Sequence, residues 1–397
     1  MAIITRDAYL SSVRARLLIP ALLLSTAPFS LAAQSDGSPT SPSRIPRRTL
    51  LAVVGALVGG AGGAVLHHDG SGTACRACTI GAGALIGGIA GLLIGREVDQ
   101  TYALRYRGVP RLRIPFVEQS LDGEPLTLAA RDTLLAVATS TGVTILSSTG
   151  ALLTRGRRAA GIRGITALDL TTRTHALAVA TPTGLYVYPP VRGPGVLLRE
   201  GTIQAASASD DHVFFALGQR IEWAPLNSDS THAWAGVELH APVTDLEWDG
   251  RRQILWALTD TLIVALSWDG DSLSTVGQTL VEAGGRSLSV HGHRMAIALG
   301  GAGVAIFDLS NPSSVREIAR WTGARFVYDA ALAGDRLYAG AGPEGVFVID
   351  ATSLPPRTMG LAFDLGFAAT LLSRDGYTYI LDRRTASVRR ISTPTTR

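Results

Sequence analysis

The chain has 397 residues, too many for one average domain and suited to one large repeat domain with appendages. Hydrophobic residues make up 46% and charged ones only 17%, a low charge for a freely soluble protein. The net charge of +4 comes from scattered Arg with no basic run interleaved with aromatics, so no nucleic-acid partner is expected.

At the start, Arg6, Arg14 and Arg16 precede the apolar run LLIPALLLSTAPF, and SLAAQ follows it. A basic start, a short apolar centre and small residues before a polar one are the parts of a secretory signal. Ser30 and Ala32 fill the small-residue positions, which assigns residues 1–32 to a signal peptide cut after Ala32. An uncleaved anchor is the alternative. No Cys follows the apolar run, so lipoprotein processing is not expected. Residues 33–48 contain QSDGSPTSPSRIPRR, whose Pro and Ser content reads as a linker.

Two apolar segments, 49–66 and 79–95, follow. As helices each would span about 26 Å, close to the hydrocarbon thickness of a bilayer. Gly55, Gly59 and Gly63 line the first; Gly83, Gly87, Gly91 and Gly95 line the second. A spacing of four puts each set on one helix face, where another backbone can approach closely. That matters in lipid, where apolar burial no longer drives helices together. The expectation is a membrane-associated helical hairpin over 49–95, packed glycine face to glycine face, with a flexible tether as the alternative. The doubled spacing, above all GAGALIGGIAGLLIG, resembles the glycine-zipper two-helix domains of bacterial envelope antigens and outer-membrane proteins. Homo-oligomers through the same faces fit this reading. Arg44, Arg47 and Arg48 before the hairpin and Arg96, Arg105 and Arg107 after it would both be cytoplasmic by the positive-inside rule. The signal argues the other way and is given more weight. Between the helices, Cys75 and Cys78 are the only cysteines. They are expected to close a local disulfide; zinc held with His67 or His68 is the alternative. Haem attachment would need His directly after Cys78, and Thr79 stands there.

After a second linker, 96–110, the pattern changes to short β-branched or aromatic runs between polar turns. GVAIFDLSNP at Gly303 and GVFVIDATSLP at Gly345 are near copies. Weaker ones are GVTILSS, GLYVYPP, QRIEWAP, TLIVALS and SVRRIST. Their starts, 142, 184, 219, 261, 303, 345 and 387, are separated by 42, 35, 42, 42, 42 and 42 residues. Each copy is preceded by a hairpin, as in LTLAARDTLLAVA or TLLSRDGYTYIL, and most are followed by another strand, as in VREIARW. Four antiparallel strands per repeat of about 40 residues make a propeller blade. Residues 111–397 are therefore predicted to be an all-β, seven-bladed β-propeller. The seventh blade has only three strands before the chain ends, and RLRIPFVEQS, residues 111–120, is predicted to supply the fourth and close the ring.

The Gly303 and Gly345 copies resemble the LVIVD repeat of bacterial surface-associated propellers, an apolar strand ending in Asp. Asp308 and Asp350 match it, whereas Ser147, Pro189, Ala224 and Leu266 stand at the corresponding places of blades one to four. The resemblance implies a shape and a cell-surface location rather than a reaction.

Few residues suggest chemistry. Trp248 and Trp268 precede Asp-Gly in turns and are read as hairpin packing rather than ligand stacking. His291 and His293 flank a turn glycine; without a third ligand they are read as solvated, as are Asp210, Asp211 and His212. Asp245, Glu247 and Asp249 alternate, and paired carboxylates can serve as acid and base. Solvation at an edge, or pairing with Arg251 or Arg252, is the commoner fate. No nucleophile setting or calcium loop appears, so an enzyme is not expected, and no cofactor. The expectation is an exported, cell-envelope binding or scaffold protein that presents one propeller face to an envelope protein or polymer. A periplasmic lyase or hydrolase and an oligomeric membrane element capped by a propeller are the alternatives.

Overall fold

The computed structural model describes residues 106–393, apart from 107, 150–151, 161–163, 172–173, 190–193 and 227–233. The predicted signal, first linker and glycine hairpin, with its seven zipper glycines and Cys75 and Cys78, lie outside the described residues. No helix among the described residues is long and apolar enough to cross a membrane.

Tyr106–Arg397 forms one compact unit. Its strands, numbered β1–β28 along the chain, pair into seven four-stranded antiparallel sheets. In each blade the hairpin read from the sequence forms the first two strands and the repeated apolar motif forms the third. In blade one, β2 (Pro125–Arg131) pairs with β3 (Leu134–Thr139), then β4 (Gly142–Thr149), then β5 (Leu152–Ala160). The other motif strands are β8 (Gly184–Tyr188), β12 (Arg220–Pro225), β16 (Leu262–Trp268), β20 (Val304–Asp308), β24 (Val346–Asp350) and β28 (Ser387–Ser392). All seven fall where the spacing placed them.

The glycine that opens the motif has a steric reason. At Gly303 φ is +86°, and a Cβ there would lie 1.9 Å from the carbonyl oxygen of Trp321 in the fourth strand. Gly345, with φ of +101°, stands 2.4 Å by the same measure from the oxygen of Ala362. No other residue fits that conformation and that approach together. The closing Asp also has a local task. Asp308 Oδ1 accepts from the Ser310 amide at 3.0 Å and its hydroxyl at 2.6 Å. Asp350 does the same with Thr352, at 2.9 and 2.6 Å. Each turns the chain out of its strand, as short acceptor side chains do.

Blade seven is closed as predicted, with the strand order β1-β28-β27-β26, where β1 is Phe116–Ser120, β26 Ala368–Arg374 and β27 Tyr377–Asp382. The register runs from Phe116 opposite Ile391 to Ser120 opposite Ser387. The strand is shorter than expected, because Pro115 has no N–H for the ladder. The preceding residues reach blade six instead, where the Leu112 amide donates to Leu361 at 3.0 Å and the Leu361 amide to Pro110 at 2.9 Å. Tyr106 packs its ring 5.5 Å from Phe347 and donates its hydroxyl to Glu344, in the turn before β24. The folded unit therefore starts ahead of the boundary at residue 111.

Apolar side chains fill the seams between blades. Between blades three and four, Phe214 stacks on Trp248 with centroids 5.0 Å apart, and Trp268 meets Phe214 edge-on at 5.3 Å and Trp223 at 5.7 Å. Trp248 and Trp268 are buried in this cluster, in line with the packing role read from their turns.

Candidate functional site

The first strand of each blade faces the central channel: β2, β6 (Ala167–Leu170), β10 (Ala205–Ala208), β14 (Val243–Asp249), β18 (Ser287–His291), β22 (Asp329–Ala333) and β26. Every junction between neighbouring inner strands carries a hydrogen bond from a side chain of one blade to the backbone of the next. Arg131 Nε donates to the Leu170 oxygen at 3.0 Å. Asp169 Oδ2 accepts from the Ala208 amide at 2.8 Å, and Ser207 Oγ from the Trp248 amide at 3.0 Å. Asp245 Oδ2 accepts from Leu288 at 2.9 Å, Ser289 Oγ from Leu332 at 3.1 Å and Asp329 Oδ2 from Leu371 at 2.7 Å. Thr370 completes the circle toward Leu126 at 3.5 Å, the weakest of the set. In each of the three aspartates Oδ1 accepts the amide of the following residue, at 2.7 to 2.9 Å. A buried backbone amide without an acceptor is costly, so these side chains satisfy the wall and fasten the blades at once.

Burial sets the charge state of the channel. It pushes the Asp245 carboxyl up to about 8, against the pull of the Leu288 amide. Burial also raises Glu247 and Asp329 above the ordinary carboxylate range. Glu247 is opposed by Arg374 and Arg131; Arg374 Nη2 lies 3.5 Å from its Oε1, so that pair joins blade four to blade seven across the channel. Arg131 Nη2 sits 3.6 Å from Asp169.

Two cavities share this channel. The inner one, about 240 Å³, is walled by Asp169, Asp245, Asp329, Ser207, Ser287 and Thr370 among others. The outer one, about 850 Å³, is a basin ringed by the turns that leave the inner strands. Arg131, Glu247, Arg251, Trp268, His291 and Arg374 line it. Glu344 and Tyr106 lie at the other end of the blades, beyond the far end of the second strands.

The residues singled out in the sequence part company here. Asp245 and Glu247 are not solvated at an edge: both lie in the channel, one bonded to the next blade and the other facing Arg374. Asp249 does pair with Arg252, as expected of that stretch. Arg252 Nη2 in turn donates to His293 Nδ1 at 2.7 Å, while His291 lines the basin. Among the described residues no three His, Cys, Asp or Glu side chains cluster to hold a metal. Asp210 and Asp211 are exposed at the rim, and His212 Nδ1 donates to Asp211 at 2.8 Å. Arg131, Asp169, Asp329 and Arg374 escaped the sequence reading. Arg131 and Arg374 looked like turn residues in AARDT and LSRDG. A usable signal existed at Asp245, Ser287 and Asp329, which are 42 residues apart, one full repeat each.

No family model and no curated protein matches the chain. Among solved structures it is similar to the WD40 domain of Pan2 from Neurospora crassa, with 11% identity, a TM-score of 0.53, and coverage of 72% of this chain and 98% of that one. The computationally designed Ika8 protein also aligns, at 12% identity and a TM-score of 0.49, over 69% of this chain and 98% of that one. At such identity the WD40 likeness speaks for the propeller fold alone.

Proposed function

We propose that the chain is a binding or scaffold protein of the cell envelope, whose propeller presents its basin to an envelope protein or polymer. The observation that carries this reading is the basin itself. A rigid ring fastened at every blade junction holds an 850 Å³ polar cavity at one end, lined by side chains from several blades. Convergent polar groups in a cavity of that size are what a binding platform needs. The N-terminal signal pattern, the glycine spacing of residues 49–95 and the LVIVD-like strands at Gly303 and Gly345 support the location and a membrane tether.

Affinity capture from detergent-solubilised envelopes tests it, using the full chain, a chain lacking 49–95, and the rim variant Asp210→Arg with Arg251→Glu. The expected result is one partner held by the first two and lost by the rim variant. Equal capture by the rim variant, or recovery of the full chain from cytosol without lipid affinity, contradicts it.

A second reading, a propeller enzyme, gains one specific observation: Glu247 reaches both cavities, and burial shifts its carboxyl upward, the direction a general acid needs, against Arg374 and Arg131. It would require a turnover abolished by Glu247→Gln with the fold intact.

A further inference from the structure

We propose that the basin is an oxyanion-binding site in which Arg374 and Arg251, with His291, hold a carboxylate or phosphate group of the ligand. This rests on reading the basin as the binding surface and names the chemistry it selects.

The cations of the basin differ in how far they are already engaged. Arg131 gives Nε to Leu170 and Nη2 to Ala208 at 3.5 Å, so it belongs to the wall. Arg252 is taken by Asp249 and His293. Arg374 is not satisfied. Its Nε is buried with no hydrogen-bond acceptor, and its ion pair with Glu247, at 3.5 Å, is longer than a good charge-assisted hydrogen bond. A guanidinium has five donors in a planar fork suited to two oxygens at once, and a small rotation toward the basin would give it such a partner. Arg251 is exposed on the same cavity. His291 feels both: burial pushes its imidazole below the ordinary range, and Arg251 and Arg374 push the same way against Asp335. Two guanidinium groups, from blades four and seven, and the His291 imidazole of blade five, which these shifts favour as neutral, thus line one basin.

Several acids of the basin are already engaged. Asp249 is bound by Arg252, and Asp211 by His212. Burial raises the Glu247 carboxyl, Arg374 and Arg131 oppose that shift, and its ion pair with Arg374 is the long one at 3.5 Å. Asp210 and Asp375 are exposed at turn tips on the rim.

The test is a fluorescence titration of the full chain at low salt with citrate, with inorganic phosphate, and with putrescine as a cationic control. Trp248 and Trp268 border the basin and serve as reporters. The expected result is a saturable response to at least one oxyanion and none to putrescine, with affinity weakened about tenfold or more by Arg374→Gln and by Arg251→Gln. A response to citrate alone assigns a carboxylate ligand, and to phosphate alone a phosphate ligand. Melting curves check each variant. Should Arg374→Gln unfold the ring, Arg251→Gln decides, since that side chain is exposed. No oxyanion response, unchanged affinity in a folded Arg251→Gln, or a response to putrescine overturns the site. A partner still captured through the basin while neither oxyanion binds would remove the oxyanion site and leave the platform standing.

Discussion

Glu118 and Arg389, 271 residues apart in sequence, meet where the ring closes: Arg389 Nε and Nη2 donate to Glu118 Oε1 at 3.0 and 2.9 Å. The remaining guanidinium nitrogen, Nη1, lies 3.1 Å from Asp382 and donates to the Asp364 oxygen at 2.8 Å. One side chain of β28 thus ties β1 to the last blade, with its guanidinium carbon over the Phe116 ring at 4.9 Å.

The two acids at this latch are unequal. Asp382 is 1% exposed and Glu118 38%. Arg389→Met leaves Asp382 buried without its cation, which is expected to cost about 3–5 kcal/mol. Glu118→Gln, in contact with water, is expected to cost under about 1 kcal/mol. Urea unfolding of both variants measures the difference, and equal losses would contradict the assignment of Asp382 as the dominant partner.

Trp268 joins blades three and four through Phe214 and Trp223, and its ring also lies 5.1 Å from His212. Removing it should empty a cavity in the seam, so Trp268→Ala is expected to lose about 3–5 kcal/mol of stability. Were the ring instead held out for a ligand, stability would barely change. Chemical denaturation distinguishes the two.

The channel carboxylates make stability fall as pH rises. Asp245 titrates at about 8 when folded and near 3.8 when unfolded. Between those values the folded chain holds a proton that the unfolded chain has released, so alkalinity favours unfolding across that window. Asp329 and Glu247 are shifted in the same direction. The urea midpoint is expected to drop from pH 5 toward pH 9, and Asp245→Asn to flatten that slope. An unchanged slope in the variant would show that Asp245 ionises normally.

Part of this fold was legible because blades five and six repeat one steric problem. Gly303 and Gly345 recur since the fourth strand crosses too near for a Cβ, and Asp308 and Asp350 recur since both strands leave through the same exit turn. Such local demands leave a period in the sequence. The channel was less legible, because a junction between blades accepts several solutions: Asp169 and Ser207 differ in charge, and Arg131 donates where they accept. Each satisfies a backbone group of the neighbour, so only the register between blades reveals the shared role. Glu247 and Arg374 meet across the ring, at a distance no repeat spacing encodes.

Closure of the ring by β1 is tested most directly by a cross-link at Ser120 and Ser387, which are register partners in β1 and β28. Ser120→Cys with Ser387→Cys, made with Cys75→Ser and Cys78→Ser, keeps side-chain size and leaves only the new pair. The expected result is quantitative disulfide formation under mild oxidation, with the fold intact and a raised melting temperature, as when a long loop is closed. Free thiols in the folded oxidised protein, with either single variant behaving the same, would contradict closure of blade seven by the N-terminal strand.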